Sequence, residues 1–147
     1  MTAPAAPFGR ETIESIIPHR PPFLLVDEIV ELEPGRKVRG RLNVPANGWW
    51  FPGHFPRHPV MPGVLTIEAI AQCGAVAVLA DAANAGKIPF FAGIDDCRFK
   101  RIVEPGDELE LTCELQQMRG PIGRGKATAR VGDQLAARAA LTFAVER

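Results

Sequence analysis

Hydrophobic and polar positions divide this chain into three stretches of different character. In the first, Ile13, Ile16 and Ile17 recur at helical spacing, which predicts a short helix over residues 10–17 ended by Pro18. Residues 23–32 (FLLVDEIVEL) read as a strand, and Pro34-Gly35 signals a turn. Beyond it Val38, Gly40, Leu42 and Val44 alternate with Lys37, Arg39, Arg41 and Asn43, the period of a half-exposed strand paired with its predecessor as a hairpin.

The middle stretch has no such alternation. Pro52, Pro56, Pro59 and Pro62 fix φ and remove backbone donors, so residues 51–62 form neither helix nor central strand. Pro62 suits the first position of a helix. Residues 63–83 then read as that helix, rich in Ala, Leu and Ile and apolar on nearly every side, which marks a helix enclosed by other structure. Asn84-Ala85-Gly86 closes it with turn chemistry.

The last stretch is β throughout. Residues 90–99 form one strand, and Leu109, Leu111, Cys113 and Leu115 alternate with Glu108, Glu110, Thr112 and Glu114 in a second. Residues 123–131 are a third, and the Gly132-Asp133 turn leads into a fourth over 135–145. Two strands, an enclosed helix and four strands predict an α+β domain. An antiparallel sheet must curl around the helix, because nothing else in the chain is available to cover it. At 147 residues this is one domain, with about the first eight residues as a loose tail.

Composition narrows the function classes. Seventeen basic residues balance seventeen acidic ones, which argues against a strongly basic nucleic-acid binder. Three cysteines without a CxxC pair argue against a disulfide framework and read as small apolar residues in a reducing compartment. The N-terminus lacks the charged start and apolar run of a secretory signal. Residues 64–80 are about a turn short of the ~20 needed for a span and contain Glu68 and Gln72. A soluble, cytoplasmic protein without a membrane span is expected.

Candidate chemistry concentrates around the prolines. His54 stands in a stiffened loop near Trp49, Trp50, Phe51 and Phe55, an apolar enclosure that would leave an imidazole neutral and able to accept a proton. A loop histidine bonded to backbone is the competing reading. Glu68 is the lone charge of the apolar helix, about 8 Å from its start at 1.5 Å per residue. It reads as an environment-tuned proton donor, as a structural hydrogen-bond partner, or as the point where the helix leaves the core. Gln72, four residues on, shares its face and extends a polar seam toward a cavity or another subunit. Gly63 and Val64 open the helix, where unpaired N–H groups and the positive dipole end suit a developing oxyanion.

Other chemistries fit less well. His54 and His58 are four apart, but Pro56 and Pro59 prevent the helix that would align them on a metal, and no metal is expected. No GxSxG, P-loop or GxGxxG sequence is present. Arg98, Lys100 and Arg101 form the one dense basic cluster, either a solvated strand end or a dock for an acidic partner.

Three segments carry a resemblance: LLVDEI at 24–29, GHFPRHPVMPGVLTIEAIAQ at 53–72 and FAGIDDCRFKRIVEPGD at 91–107. In order and spacing they resemble the β-hydroxyacyl-acyl-carrier-protein dehydratases of type II fatty-acid synthesis, from roughly Ile13 to Val145. The resemblance implies a hot-dog fold, a curved antiparallel sheet wrapped around a long central helix, working as homodimers often assembled into hexamers. It implies His54 and Glu68 as catalytic residues meeting across the dimer interface, and the Gly63 amide on the thioester carbonyl. Val64, Gln72 and Phe55 are expected at the substrate, and Arg98, Lys100 and Arg101 at the carrier protein. No cofactor is implied, since phosphopantetheine arrives as part of the substrate.

Glutamate at position 68 resembles the dehydratase-only branch, because relatives that also isomerise carry aspartate there. Two positions depart from the family. Many members have a tyrosine near the tunnel mouth where this chain offers Phe90 and Phe91, and Trp49-Trp50 is bulkier than usual. A hot-dog acyl-thioesterase, a dehydratase of a specialised acyl or polyketide route, and a non-catalytic acyl-binding scaffold are the alternatives.

Overall fold

The computed structural model describes residues 3–116 and 118–146. In chain order the elements are β1 (Phe8–Gly9), α1 (Arg10–Ile16), β2 (Glu28–Glu33), β3 (Lys37–Asn43), α2 (Gly63–Ala80), β4 (Pro89–Phe99), β5 (Glu108–Leu115), β6 (Ile122–Val131) and β7 (Gln134–Val145). The seven strands make one sheet in the order β1-β2-β3-β5-β6-β7-β4, with each neighbouring pair antiparallel. The sheet curls around α2, which packs mainly on β5, β3, β6 and β7.

The apolar positions explain why. From Thr66 to Leu79 every α2 residue except Glu68 is buried. The strands meet this helix with Val38, Leu42, Leu109, Leu111, Leu141 and Phe143, all at most 2% exposed. Helix and sheet approach closely at Gly74, where a Cβ would lie 3.0 Å from Cys113 Sγ and 3.1 Å from the Phe143 ring. Burial pushes the Cys73 and Cys113 thiols up, Cys113 to about 12, so both act as small apolar residues, as expected. α2 is long and apolar enough to cross a membrane, but 72% of it is buried inside the fold, as in the core helix of a globular domain.

Outward charges agree with the strand register. Arg39 lies between Glu31 at 2.8 Å and Glu110 at 3.5 Å, and Arg41 between Glu28 at 3.5 Å and Glu108 at 3.3 Å. The basic outer positions of β3 thus face acidic ones on both neighbours. Each such exposed pair contributes at most about 1 kcal/mol, so the ladder favours the register more than it adds to stability.

Three expectations need correction. Residues 23–27 are not strand. Leu24, Leu25 and Val26 are buried in succession, which a two-residue period does not allow. The segment is instead a loop, buried over residues 24–26, whose backbone is met by a side chain from α2. The helix ends at Ala80, not near residue 83, because the Asp81 carboxylate accepts the Ala83 N–H and starts a separate 3₁₀ turn, Ala82–Asn84. The sheet also gains β1: Phe8 and Gly9 pair with Ile29 and Glu28, a two-residue contact too short to have a periodic signature. The first two residues of the expected tail lie outside the described residues.

Candidate active site

The proline-rich loop holds His54 by its backbone and its ring together. The His54 N–H donates to Phe51 O, the Val60 N–H donates to His54 O, and a 3₁₀ turn over Phe51–Gly53 leads in. The ring Nδ1 lies 2.9 Å from Val60 O, an acceptor, so Nδ1 carries the proton and Nε2 presents its lone pair. Phe55 stacks on the imidazole with centroids 4.1 Å apart. Of the aromatic enclosure read from the sequence, Trp50 and Phe51 are in the core, whereas Trp49 and Phe55 are about half exposed on this chain.

His54 opens onto a cavity of about 520 Å³ shared with Gly63, Val64, Phe99 and Lys100. At the start of α2, Leu65 N–H and Thr66 N–H both donate to Pro62 O. Gly63 N–H, at the first helical position, has no intrahelical partner by construction. The Phe99 ring lies so close that a Cβ at Gly63 would sit 2.7 Å from it, so only glycine leaves this amide accessible with the ring in place.

Glu68 lines a second cavity of about 280 Å³, with His19, Phe23, Gln72, Phe90 and Phe91. Burial pushes the Glu68 carboxyl above its ordinary range, and a hydrogen bond from Gln72 opposes the shift. Gln72 is 1% exposed and its amide is fully occupied. Its Oε1 accepts Leu25 N–H at 2.7 Å, and its Nε2 donates to Phe23 O at 2.8 Å and Glu68 Oε2 at 2.9 Å. The polar seam read from the sequence is therefore a clamp, tying the backbone of Phe23 and Leu25 to the carboxyl.

A FabA-like domain model matches residues 17–140. The chain is 57% identical over 136 residues to a 3-hydroxyacyl-(acyl-carrier-protein) dehydratase FabZ of Exiguobacterium sibiricum, covering 92% of this chain and 97% of that one. It is 56% identical over 135 residues to the protein of the same name in Bacillus velezensis, covering 92% and 96%. The chain belongs to this family of dehydratases. Among solved structures, the dehydratase heterocomplex ApeI:P of Xenorhabdus doucetiae superposes with a TM-score of 0.76 at 17% identity, covering 92% of this chain and 91% of that one. An uncharacterised Pyrococcus horikoshii protein gives 0.69 at 12%, covering 90% and 92%. At such identities they establish the hot-dog fold alone.

Within the dehydratase frame, the basic cluster separates into two kinds of residue. Arg98 and Lys100 are exposed. Arg101 is half-buried and occupied by Gln134 Oε1, Ile102 O and the Asp107 carboxylate, which also caps the Glu104 N–H. His58 Nε2 faces the Glu104 carboxylate at 3.4 Å. Among the described residues no three His, Cys, Asp or Glu side chains are placed to hold a metal ion. Phe90 and Phe91 stand beside Glu68, where the resemblance put a tyrosine. Sequence reasoning passed over Phe99, against Gly63, and, beside Glu68, His19. His19 lies 49 positions before Glu68, and neither period nor spacing links the two.

Proposed function

We propose that this chain dehydrates (3R)-3-hydroxyacyl groups on acyl carrier protein to trans-2-enoyl groups, as a step of fatty-acid synthesis, at sites shared between two copies of the chain. The reaction class follows from membership of the dehydratase family. The shared site rests on one observation: His54 and Glu68 line different cavities of the same chain. Each cavity thus holds half of an acid–base pair. The edge strand β4, flanking both, exposes Phe90, Phe91, Ile94 and Phe99, and Val64 is 74% exposed at the helix start. An uncovered edge with this much apolar surface suits a second copy, and a homodimer would join the His54 cavity of one protomer to the Glu68 cavity of the other.

In such a site the Nε2 lone pair of His54 removes a proton from C2 of the substrate. The electron pair moves toward the thioester oxygen, which accepts the Gly63 N–H at the positive end of α2. When the pair returns to form the C2–C3 double bond, the C3–O bond breaks. Glu68, whose hold on its proton burial strengthens, gives that proton to the departing hydroxyl, and water leaves. His54 then passes the C2 proton back to Glu68 through solvent. The balance is redox-neutral and requires no metal or redox cofactor.

Val64 and Phe55 border the substrate, and Gln72 acts through Glu68. Arg98 and Lys100 offer the acidic carrier protein its free cations, with Arg101 a structural neighbour of that surface. The enzyme is soluble and cytoplasmic in this reading. Mixing the purified protein with 3-hydroxybutyryl carrier protein is expected to raise enoyl absorbance without releasing thiol. Free thiol without enoyl product would instead make it a thioesterase.

A further inference from the structure

The smaller cavity contains a histidine that the reaction as written leaves idle. His19 follows α1, with a side chain 21% exposed and its Nε2 3.9 Å from Glu68 Oε2. Its Nδ1 is buried with no hydrogen-bond partner among the described residues. An orphaned N–H is rarer in a protein interior than an orphaned lone pair. The tautomer with its proton on Nε2 leaves only a lone pair at Nδ1 and aims the N–H at the carboxyl. Burial, then the neighbouring Arg20 guanidinium, hold the imidazole below its ordinary value, so it is neutral at pH 7. Arg20 itself is turned to Glu14 and to the carbonyls of Ile17 and His19. Among the residues lining the cavity, His19 and Glu68 are the only titratable groups.

Gln72 identifies which carboxyl oxygen is the acceptor. Its amide orientation is fixed, because Oε1 meets a backbone N–H and Nε2 a backbone carbonyl. The group facing Glu68 Oε2 is therefore a donor. His19 and Gln72 both address Oε2, which leaves Oε1 to carry the acidic proton.

We propose that His19 is a positioning residue for Glu68, its Nε2–H closing on Oε2 as the carboxyl gives its proton to the departing hydroxyl. The inference rests on Glu68 as the proton donor. At 3.9 Å the resting contact is about 1 Å longer than a hydrogen bond, and catalytic hydrogen bonds are often long before substrate binds. Once Oε1 loses its proton, a carboxylate is left in a largely apolar pocket. A second donor at Oε2 then stabilises the charge that appears only as the C3–O bond breaks. An interaction made only in the transition state changes kcat and leaves KM nearly alone.

The test compares His19→Leu, which removes the donor, with His19→Gln, whose amide N–H can take the place of Nε2–H. In His19→Leu, kcat for enoyl formation is expected to fall about tenfold with KM within about twofold. The high-pH limb of the kcat profile, where Glu68 ionises, moves up, since a lost donor to the carboxylate raises its pKa. His19→Gln is expected to stay within about threefold of the parent with the limb unmoved. Equal losses in both variants with an unmoved limb, or an unchanged kcat in His19→Leu, overturn the proposal. Should the leucine variant fail to fold by circular dichroism, His19→Phe replaces it. Glu68→Gln is the separate arm: full activity there removes Glu68 as the donor, whereas its inactivity beside an unaffected His19→Leu sinks only the role of His19.

Discussion

In the proposed reaction, two side chains of modest local cost carry the chemistry. His54 needs only Val60 O to present its base nitrogen, and burial raises the pKa of the Glu68 carboxyl toward that of a proton donor. His54→Ala and Glu68→Gln are each expected to slow enoyl formation by about 10²–10⁴-fold with the fold intact. Glu68 also makes a stability prediction. Its folded pKa lies above the ordinary value of 4.5, so the native state binds more protons than the unfolded one and loses stability as pH rises from 4.5 through the folded value. Glu68→Gln removes that penalty. Thermal melts should place the variant at or above the parent at pH 8, with the advantage gone below pH 4.5; a parent that melts higher at pH 8 contradicts the account. Gly63→Ala tests the helix start. The Phe99 ring is half exposed and can swing aside, so the melting temperature should hardly change. Activity should fall about a hundredfold, as for loss of an oxyanion donor, because the methyl group and the displaced ring obstruct the amide.

At the scale of elements, the site depends on how α2 holds a segment that is not strand. Gln72 supplies the hydrogen bonds that a neighbouring strand would otherwise give Phe23 and Leu25. Gln72→Leu leaves a buried N–H and a part-buried carbonyl unpaired, a cost of roughly 1–3 kcal/mol. Denaturant titration should find that loss together with reduced kcat. A variant of parental stability whose only change is a raised KM would make Gln72 a substrate contact instead of a clamp. The strand misreading at 23–27 has the same origin. Five residues of apolar, β-branched and acidic character look like the start of a strand, and only the side chain of residue 72 shows that their backbone is met differently.

At the scale of the whole molecule, His54 and Glu68 line separate cavities, and the proposal that two copies join them into one acid–base pair can be tested without a structure of the dimer. His54→Ala chains retain Glu68, and Glu68→Gln chains retain His54. A mixed dimer therefore contains one complete site of its two. Co-refolding equal amounts of the two inactive variants gives half mixed dimers at random, so about a quarter of parental activity should return. Recovery of nothing, with mixed dimers present by mass, would mean that both residues act from one chain.

Much of this was legible in residue order. The period-2 runs of β3 and β5, the unbroken apolar character of α2 and the prolines ahead of it determined the α+β class and a sheet closed on a helix, because burying one apolar helix leaves few other solutions. The block from Gly53 to Gln72 likewise singled out His54, Gly63 and Glu68 as the candidates on which the proposed reaction is built. Tertiary structure decided what depends on distance between positions far apart in the chain. It brought β1 to β2, turned Arg101 inward onto Asp107, and set His19 beside Glu68 across 49 residues. Periodicity reports which face of an element is buried, and it carries no information about which distant loop arrives there.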